Sequence, residues 1–125
     1  MAYSAAAGED PSVSDRLVVA PVQVRNAEIR VGISSWNSLP GFYPARIKAD
    51  DKLPWYARHF SIVEVNTSYY RPVPVSTYEK WIGLTPEGFL FDVKAFRDLT
   101  HGDTIPPDST FAQFRDSLEP LRAAN

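Results

Sequence analysis

Apolar and polar positions alternate with a period of two in three short stretches of the chain. In Ile29–Ser34, Val31 and Ile33 oppose Gly32 and Ser34. In Ile62–Asn66, Val63 and Val65 oppose Glu64 and Asn66. In Phe89–Ala95, Phe89, Phe91 and Val93 oppose Leu90, Asp92 and Lys94. This period predicts strands with one face on a core and one face elsewhere. Between them the spacing changes to three and four. Leu53, Tyr56, Ala57 and Phe60 predict a helix capped by Asp50 or Asp51, with Pro54 in its first turn. Ser76-Thr77-Tyr78-Glu79 has capping-box spacing ahead of a short helix whose apolar side is Tyr78, Trp81 and Ile82. Ser109–Leu118 predicts a third helix, its stripe made by Phe111, Phe114 and Leu118, with Leu121 beyond Pro120.

Strands separated by helices pair in parallel through right-handed crossovers. The polarity pattern then separates two architectures. An open doubly wound sheet meets helices on both faces and needs both faces apolar. Here one face carries Gly32, Ser34, Glu64, Asn66, Asp92 and Lys94. A barrel with a polar interior explains that better, and three units of eight fit the length. The expected fold is α/β, a partial TIM-type (β/α) barrel of about three βα units with parallel strands. Residues 29–125 form that portion. Residues 1–28 are expected to be a flexible tail, with Arg16–Val24 read as an added edge strand or an arm.

Composition narrows the function classes. The chain has 125 residues, 44% hydrophobic and 22% charged, enough for one domain with a core. A net charge of -2 argues against a basic surface over the whole chain. With no cysteine there are no disulfides, thiolate metal sites or cysteine nucleophiles. The N-terminus has neither a basic leader nor a long apolar run, and Pro21 and Gln23 interrupt Leu17–Val24. A cytoplasmic location without membrane association is the expectation.

Several segments together resemble the YecE-like family, catalogued as domain of unknown function 72. They are Gly32-Ile33-Ser34-Ser35-Trp36, Phe42-Tyr43-Pro44, Trp55-Tyr56-Ala57 and Val63 to Arg71, then Thr85 to Phe89, Val93-Lys94-Ala95 and Thr100-His101. The similarity runs over about residues 29 to 122. It implies a TIM-type barrel roughly twice this length, of which this chain is the N-terminal portion. The family has no settled activity. Its barrel looks like those of metal-dependent enzymes acting on nucleic acid or sugars, an analogy of fold alone.

Barrel sites form at the C-terminal ends of strands. That selects Ser34, Ser35 and Trp36, then Asn66, Thr67, Tyr69, Tyr70 and Arg71, then Lys94, Arg97 and His101, with Glu64 and Asp92 one layer deeper. Glu64 and Lys94 read as a tuned acid/base pair, as a lysine holding an anionic substrate with Glu64 fixing its charge state, or as a structural ion pair involving Arg30 or Asp92. His101 reads as a general base or a metal ligand, or as a surface histidine; His59, on a helix, reads as exposed or packed. Trp36, Phe42, Tyr43, Tyr69 and Tyr70 read as stacking faces beside Arg71 and Arg97, or as a cover for the barrel end. Two histidines without metal-ligand spacing give no metal signature, and Ser34-Ser35 lacks a nucleophile elbow. No cofactor is named by the sequence.

Three functional expectations follow. The first is a site for a small anionic ligand, phosphate- or sugar-bearing. Glu64, Lys94 and His101 would do the chemistry, and Ser34, Trp36, Asn66, Tyr69, Tyr70, Arg71 and Arg97 the binding. The second is a non-catalytic nucleic-acid-binding module. The third is a segment without activity of its own, marginally stable and prone to associate through open strand edges.

Overall fold

The computed structural model describes residues 20–125. The expected tail, residues 1 to about 15, and residues 16–19 of the extended segment lie outside that range. Strands β1 (Val22–Val24) and β2 (Ala27–Ile29) pair antiparallel, Val22 opposite Ile29 and Val24 opposite Ala27. Opposed residues share a face, so this ribbon is apolar on one side and carries Gln23 and Glu28 on the other. It forms its own two-stranded sheet. Val22–Val24 is therefore not an edge of the core sheet, and Ile29 ends a hairpin rather than opening the first core strand.

The core ladder is β3 (Ile62–Val65) with β4 (Leu90–Val93), parallel, setting Val63 against Phe91, Glu64 against Asp92 and Val65 against Val93. On the other side of β3, the first expected strand shrinks to one bridge, Ser34 with Glu64. The Glu64 N–H donates to the Ile33 carbonyl at 3.1 Å and the Ser35 N–H to the Glu64 carbonyl at 3.0 Å. Towards Ile62 a side chain replaces the ladder. The Tyr56 hydroxyl accepts from the Ile33 N–H and donates to the Ile62 carbonyl, both at 2.9 Å. Gly32 lies so close to Ile62 that a Cβ there would stand 2.0 Å from the Ile62 oxygen.

A 3₁₀ turn (Ala49–Asp51) leads into α1 (Lys52–Ala57), which buries Leu53, Tyr56 and Ala57. Neither Asp50 nor Asp51 caps it through a side chain. The preceding turn takes over that role, with the Asp51 N–H on the Lys48 carbonyl, and Asp50 pairs with Lys80 at 3.0 Å instead. A single turn, α2 (Thr67–Tyr70), follows β3. Helix α3 (Val75–Gly83) starts straight after the extended Pro74, which places Ser76 inside the helix, so the expected capping box does not form. Then come α4 (Arg97–Thr100), α5 (Asp108–Ser117) and α6 (Glu119–Ala123). Pro120 stands in the first turn of α6, where its missing N–H is tolerated. Helix α6 packs on α3. The expected stripe of the last helix is buried only at its far end: Leu121 is in the core, whereas Phe111 is 46% exposed.

Val63, Val65 and Phe89 pack with Trp36, Leu53, Tyr56 and Ala57 into the main core. Val73, Tyr78 and Leu121 form a second cluster, and Phe91 and Val93 touch both. The opposite strand face turns polar towards its C-terminal end: beyond the paired Ile62 and Leu90, Glu64 and Asn66 are half-buried and Asp92 and Lys94 exposed. The result is an α/β fold with a parallel core and an antiparallel ribbon, and the sheet does not close among the described residues. At the N-terminal ends of the strands, Arg30 donates to the carbonyls of Gly88 (2.8 Å) and Ser61 (3.2 Å) and pairs with Glu28 (2.5 Å). It is thus no partner of Glu64. No described helix is long and apolar enough to cross a membrane.

Candidate functional site

The C-terminal ends of the strands gather polar groups because each strand runs straight into a loop or short turn there. After β3, the turn α2 places Ser68 fully buried, its hydroxyl 2.8 Å from the Val65 carbonyl and 2.6 Å from that of Lys94. This ties the end of β4 to the loop after β3. Lys94 is then held above the ring of Tyr69, its Nζ 4.4 Å from the ring centre. His101 meets the same ring edge-on at 5.6 Å, and Tyr70 does so at 5.2 Å. The His101 Nδ1 lies 2.7 Å from Thr100 Oγ1. Tyr69 thus presents one face to a cation and its surroundings to two further rings, an arrangement favoured by its quadrupole.

Two residues of register separate the residues expected to act together. Glu64 lies opposite Asp92 and Ser34, whereas Lys94 follows beyond Val93 and bonds through its N–H to the Val65 carbonyl at 3.2 Å. No ion pair joins Glu64 and Lys94 among the described residues. The parallel register is the reason: it makes a carboxylate, not the lysine, the neighbour of Glu64. The Asn66 amide donates to Ser34 Oγ across the two strand ends.

Beside Glu64 is a small cavity of about 60 Å³, lined by Ser35, Trp36, Asn37, Asn66, Thr67 and Trp81 as well. That is room for about two waters. Ser35 there has φ +66°, a left-handed conformation uncommon outside glycine. Its hydroxyl accepts from the Asn37 N–H at 3.3 Å.

Several sequence candidates are placed elsewhere. Trp36 is 9% exposed and packs edge-to-face on Trp81 at 4.9 Å, so it is a core ring touching the cavity rather than an open stacking face. Phe42 packs on Tyr56, Phe60 and His59, and the Tyr43 hydroxyl donates to the Trp36 carbonyl. The long loop after Ser35 folds back onto α1, taking these rings into the core. His59 lies just beyond α1, its Nδ1 2.8 Å from the Trp55 carbonyl. Arg97 already pairs with Asp98 at 3.4 Å. Arg71 is exposed. Burial pushes the phenols of Tyr43 and Tyr56 above their ordinary value; for Tyr56 the bond from Ile33 opposes it. Among the described residues no group of three or more His, Cys, Asp or Glu could hold a metal.

Sequence reasoning missed Trp81 as a wall of the cavity and Tyr56 as a rung of the sheet. The helical spacing of Tyr78, Trp81 and Ile82 marks Trp81 as a stripe residue and nothing more. The Trp-Tyr-Ala segment gave no hint that a phenol would stand in for a backbone bond.

Fold and site together define an α/β protein whose polar strand face opens towards the C-terminal ends of a parallel ladder. A family model, described as a protein of unknown function, DUF72, matches residues 30–125, and the chain belongs to that family. It is 37% identical over 102 residues to the UPF0759 protein YunF of Bacillus subtilis (strain 168), covering 78% of this chain and 36% of that protein. Crystal structures of a DUF72 family protein from Enterococcus faecalis V583 superpose with TM-scores of 0.64 and 0.58 at 23% identity. They match 77% of this chain and 36% and 35% of theirs. That likeness concerns the fold. The chain spans about a third of the length of these relatives.

Proposed function

We propose that this chain is a portion of a TIM-type (β/α) barrel and contributes a site for an anionic, phosphate- or sugar-bearing ligand at the C-terminal ends of its strands. The observation that supports the reading is the placement of Lys94, held 4.4 Å over Tyr69 with His101 against the same ring. An exposed lysine elsewhere samples many rotamers; here the ring face favours one region for the charge. Asn66 and Ser34, hydrogen-bonded to each other at the ends of the two neighbouring strands, supply polar groups at the same mouth. Tyr69 and Tyr70 offer faces for a sugar or base. In this reading Glu64, half-buried beneath the mouth, accepts the proton, and His101 is the second proton-transfer group at the rim. The absence of cysteine supports a reducing, cytoplasmic setting.

A non-catalytic nucleic-acid-binding module is the second reading, and one observation favours it: Tyr70 is 77% exposed next to the exposed Arg71. Binding of a sugar phosphate, the matching neutral sugar and a short single-stranded oligonucleotide separates the two. Under the first reading Lys94→Met weakens the sugar phosphate by about 10- to 100-fold, the size of a charge-assisted bond, and leaves the neutral sugar unchanged. Glu64→Gln then abolishes turnover of a reactive ligand and spares its binding. Under the second, Tyr70→Ala weakens the oligonucleotide and Glu64→Gln changes nothing. Equal affinities of wild type and Lys94→Met for the sugar phosphate would overturn the first reading.

A further inference from the structure

A second groove lies away from the strand ends, on the outer face of α1. It holds about 350 Å³ between the turn at residues 44–47 and Asp51, Pro54, Trp55 and Arg58. That is the size of a site for a small organic ligand. The helix-side residues follow Asp51 at three, four and seven positions, so they share one face of the helix. Leu53, Tyr56 and Ala57 take the other face into the core. From Asp51 at one end to Arg58 at the other is about 10 Å along the axis.

The turn brings a second guanidinium to the groove. The Ile47 N–H donates to the Pro44 carbonyl at 3.2 Å, and Arg46, the third residue of that turn, has φ +72°. Glycine or asparagine ordinarily takes that position, so an arginine is held there at a conformational cost that glycine does not carry. Arg46, Asp51 and Arg58 are exposed, and none joins an ion pair among the described residues. Two guanidinium groups without carboxylate partners are ready donors for an oxyanion.

Trp55 lies between the charged ends of the helix face. It is half-buried, with its ring 5.2 Å from that of His59. His59 is held in turn by the Trp55 carbonyl at 2.8 Å and by the Phe42 ring at 5.1 Å. The indole N–H is buried and meets no acceptor among the described residues. No hydrogen bond within them accounts for an indole at this place. What it gives the groove is ring surface, beside Pro44, Ile47 and Pro54.

We propose that this groove binds a nucleoside monophosphate. The phosphate sits at Arg46 and Arg58, the base lies along the indole and the prolines, and donors on the edge of the base reach the Asp51 carboxylate. A bare anion leaves the apolar surface unused, and a neutral ring leaves both guanidinium groups unpaired. The carboxylate disfavours a second anionic end and favours one that brings N–H donors.

The chain is titrated with guanosine 5′-monophosphate while indole fluorescence and amide NMR shifts are read. Saturable quenching that is lost in Trp55→Phe is expected, together with saturable shifts over residues 44–58. Inorganic phosphate and guanosine alone are expected to produce no saturable change there. Arg46→Gly keeps the turn, because glycine adopts φ +72° freely. It is expected to weaken the nucleotide roughly tenfold or more, while the unfolding midpoint holds or rises. Arg58→Gln and Asp51→Ala, both outside the core and the latter without a capping bond to lose, are expected to weaken it likewise. The response of residues 44–58 stays unchanged in Lys94→Met, so this groove and the strand-end site stand or fall separately. No saturable binding, a response to phosphate alone as strong as to the nucleotide, or undiminished affinity in both Arg46→Gly and Arg58→Gln would overturn the proposal.

Discussion

The hydroxyl of Tyr56 donates to the carbonyl of Ile62 at 2.9 Å, and this bond does for the sheet what a backbone rung does elsewhere. The same oxygen accepts from the Ile33 N–H. The helix that carries Tyr56 is therefore hydrogen-bonded into the ladder, and the first core segment depends on a side chain for its register. Tyr56→Phe leaves a buried N–H and a carbonyl without that partner, and we expect a loss of about 2–3 kcal/mol. Urea unfolding checks this through a shifted midpoint at constant slope. A midpoint unchanged from wild type would mean that other groups replace the phenol.

Gly32 sits where two backbone segments approach too closely for a side chain. A Cβ there meets the Ile62 oxygen at 2.0 Å and the Ile62 carbon at 2.8 Å, and both are backbone atoms that cannot swing aside. Gly32→Ala is expected to destabilise by about 3 kcal/mol and to speed exchange of the Glu64 amide, which bonds Ile33 next door. Thermal unfolding and exchange on one sample test both effects.

Tyr78 gives the chain an alkaline limit. Its ring is fully buried and its hydroxyl has no hydrogen-bond partner among the described residues, and burial pushes its pKa from 10.0 up to about 12. The folded state thus holds the proton more tightly than the unfolded one. Its contribution is complete below pH 10 and is lost as pH rises from about 10 to about 12, on the order of 2–3 kcal/mol. Tyr78→Phe removes an unpaired buried hydroxyl, so stability near neutral pH is expected to hold or rise by about 1 kcal/mol. The fall between pH 10 and 12 should shrink with it. A pH profile identical to wild type would count against this assignment.

The alternation of Val63, Glu64, Val65 and Asn66 made the buried and polar faces of β3 legible in the sequence, and Phe89 to Lys94 did the same for β4. Period-two patterning reports burial directly, which is why both were readable. Register is another matter. That Glu64 faces Asp92 rather than Lys94 depends on how two strands slide past each other, which neither strand encodes alone. The rings after Ser35 carry no period among their prolines and glycine, so nothing distinguished the core positions of Trp36 and Phe42 from the open one of Tyr70. The ribbon hid for a simpler reason. Its turn at Arg25-Asn26, with φ +55° at Arg25, has a recognisable turn residue in Asn26, but the alternation through Ile29 read as the start of the next strand.

Arg30 is expected to hold the N-terminal ends of the strands together through its bonds to Ser61 and Gly88. Arg30→Ala should cost about 2 kcal/mol. Arg30→Lys should restore only part of it, since an ammonium lacks the planar fork that reaches Glu28 and two carbonyls together. Chemical denaturation of the three proteins compares them, and full rescue by lysine would argue that only the charge matters.

The central claim, an anion held at the strand ends by Lys94, is tested most directly by an amide and side-chain NMR titration of the chain with inorganic phosphate at low salt. Saturable shifts confined to Asn66, Tyr69, Lys94 and His101, absent in Lys94→Met, are what the site requires. Shifts scattered over the lysines and arginines of the surface, or an unaltered response in Lys94→Met, would contradict it.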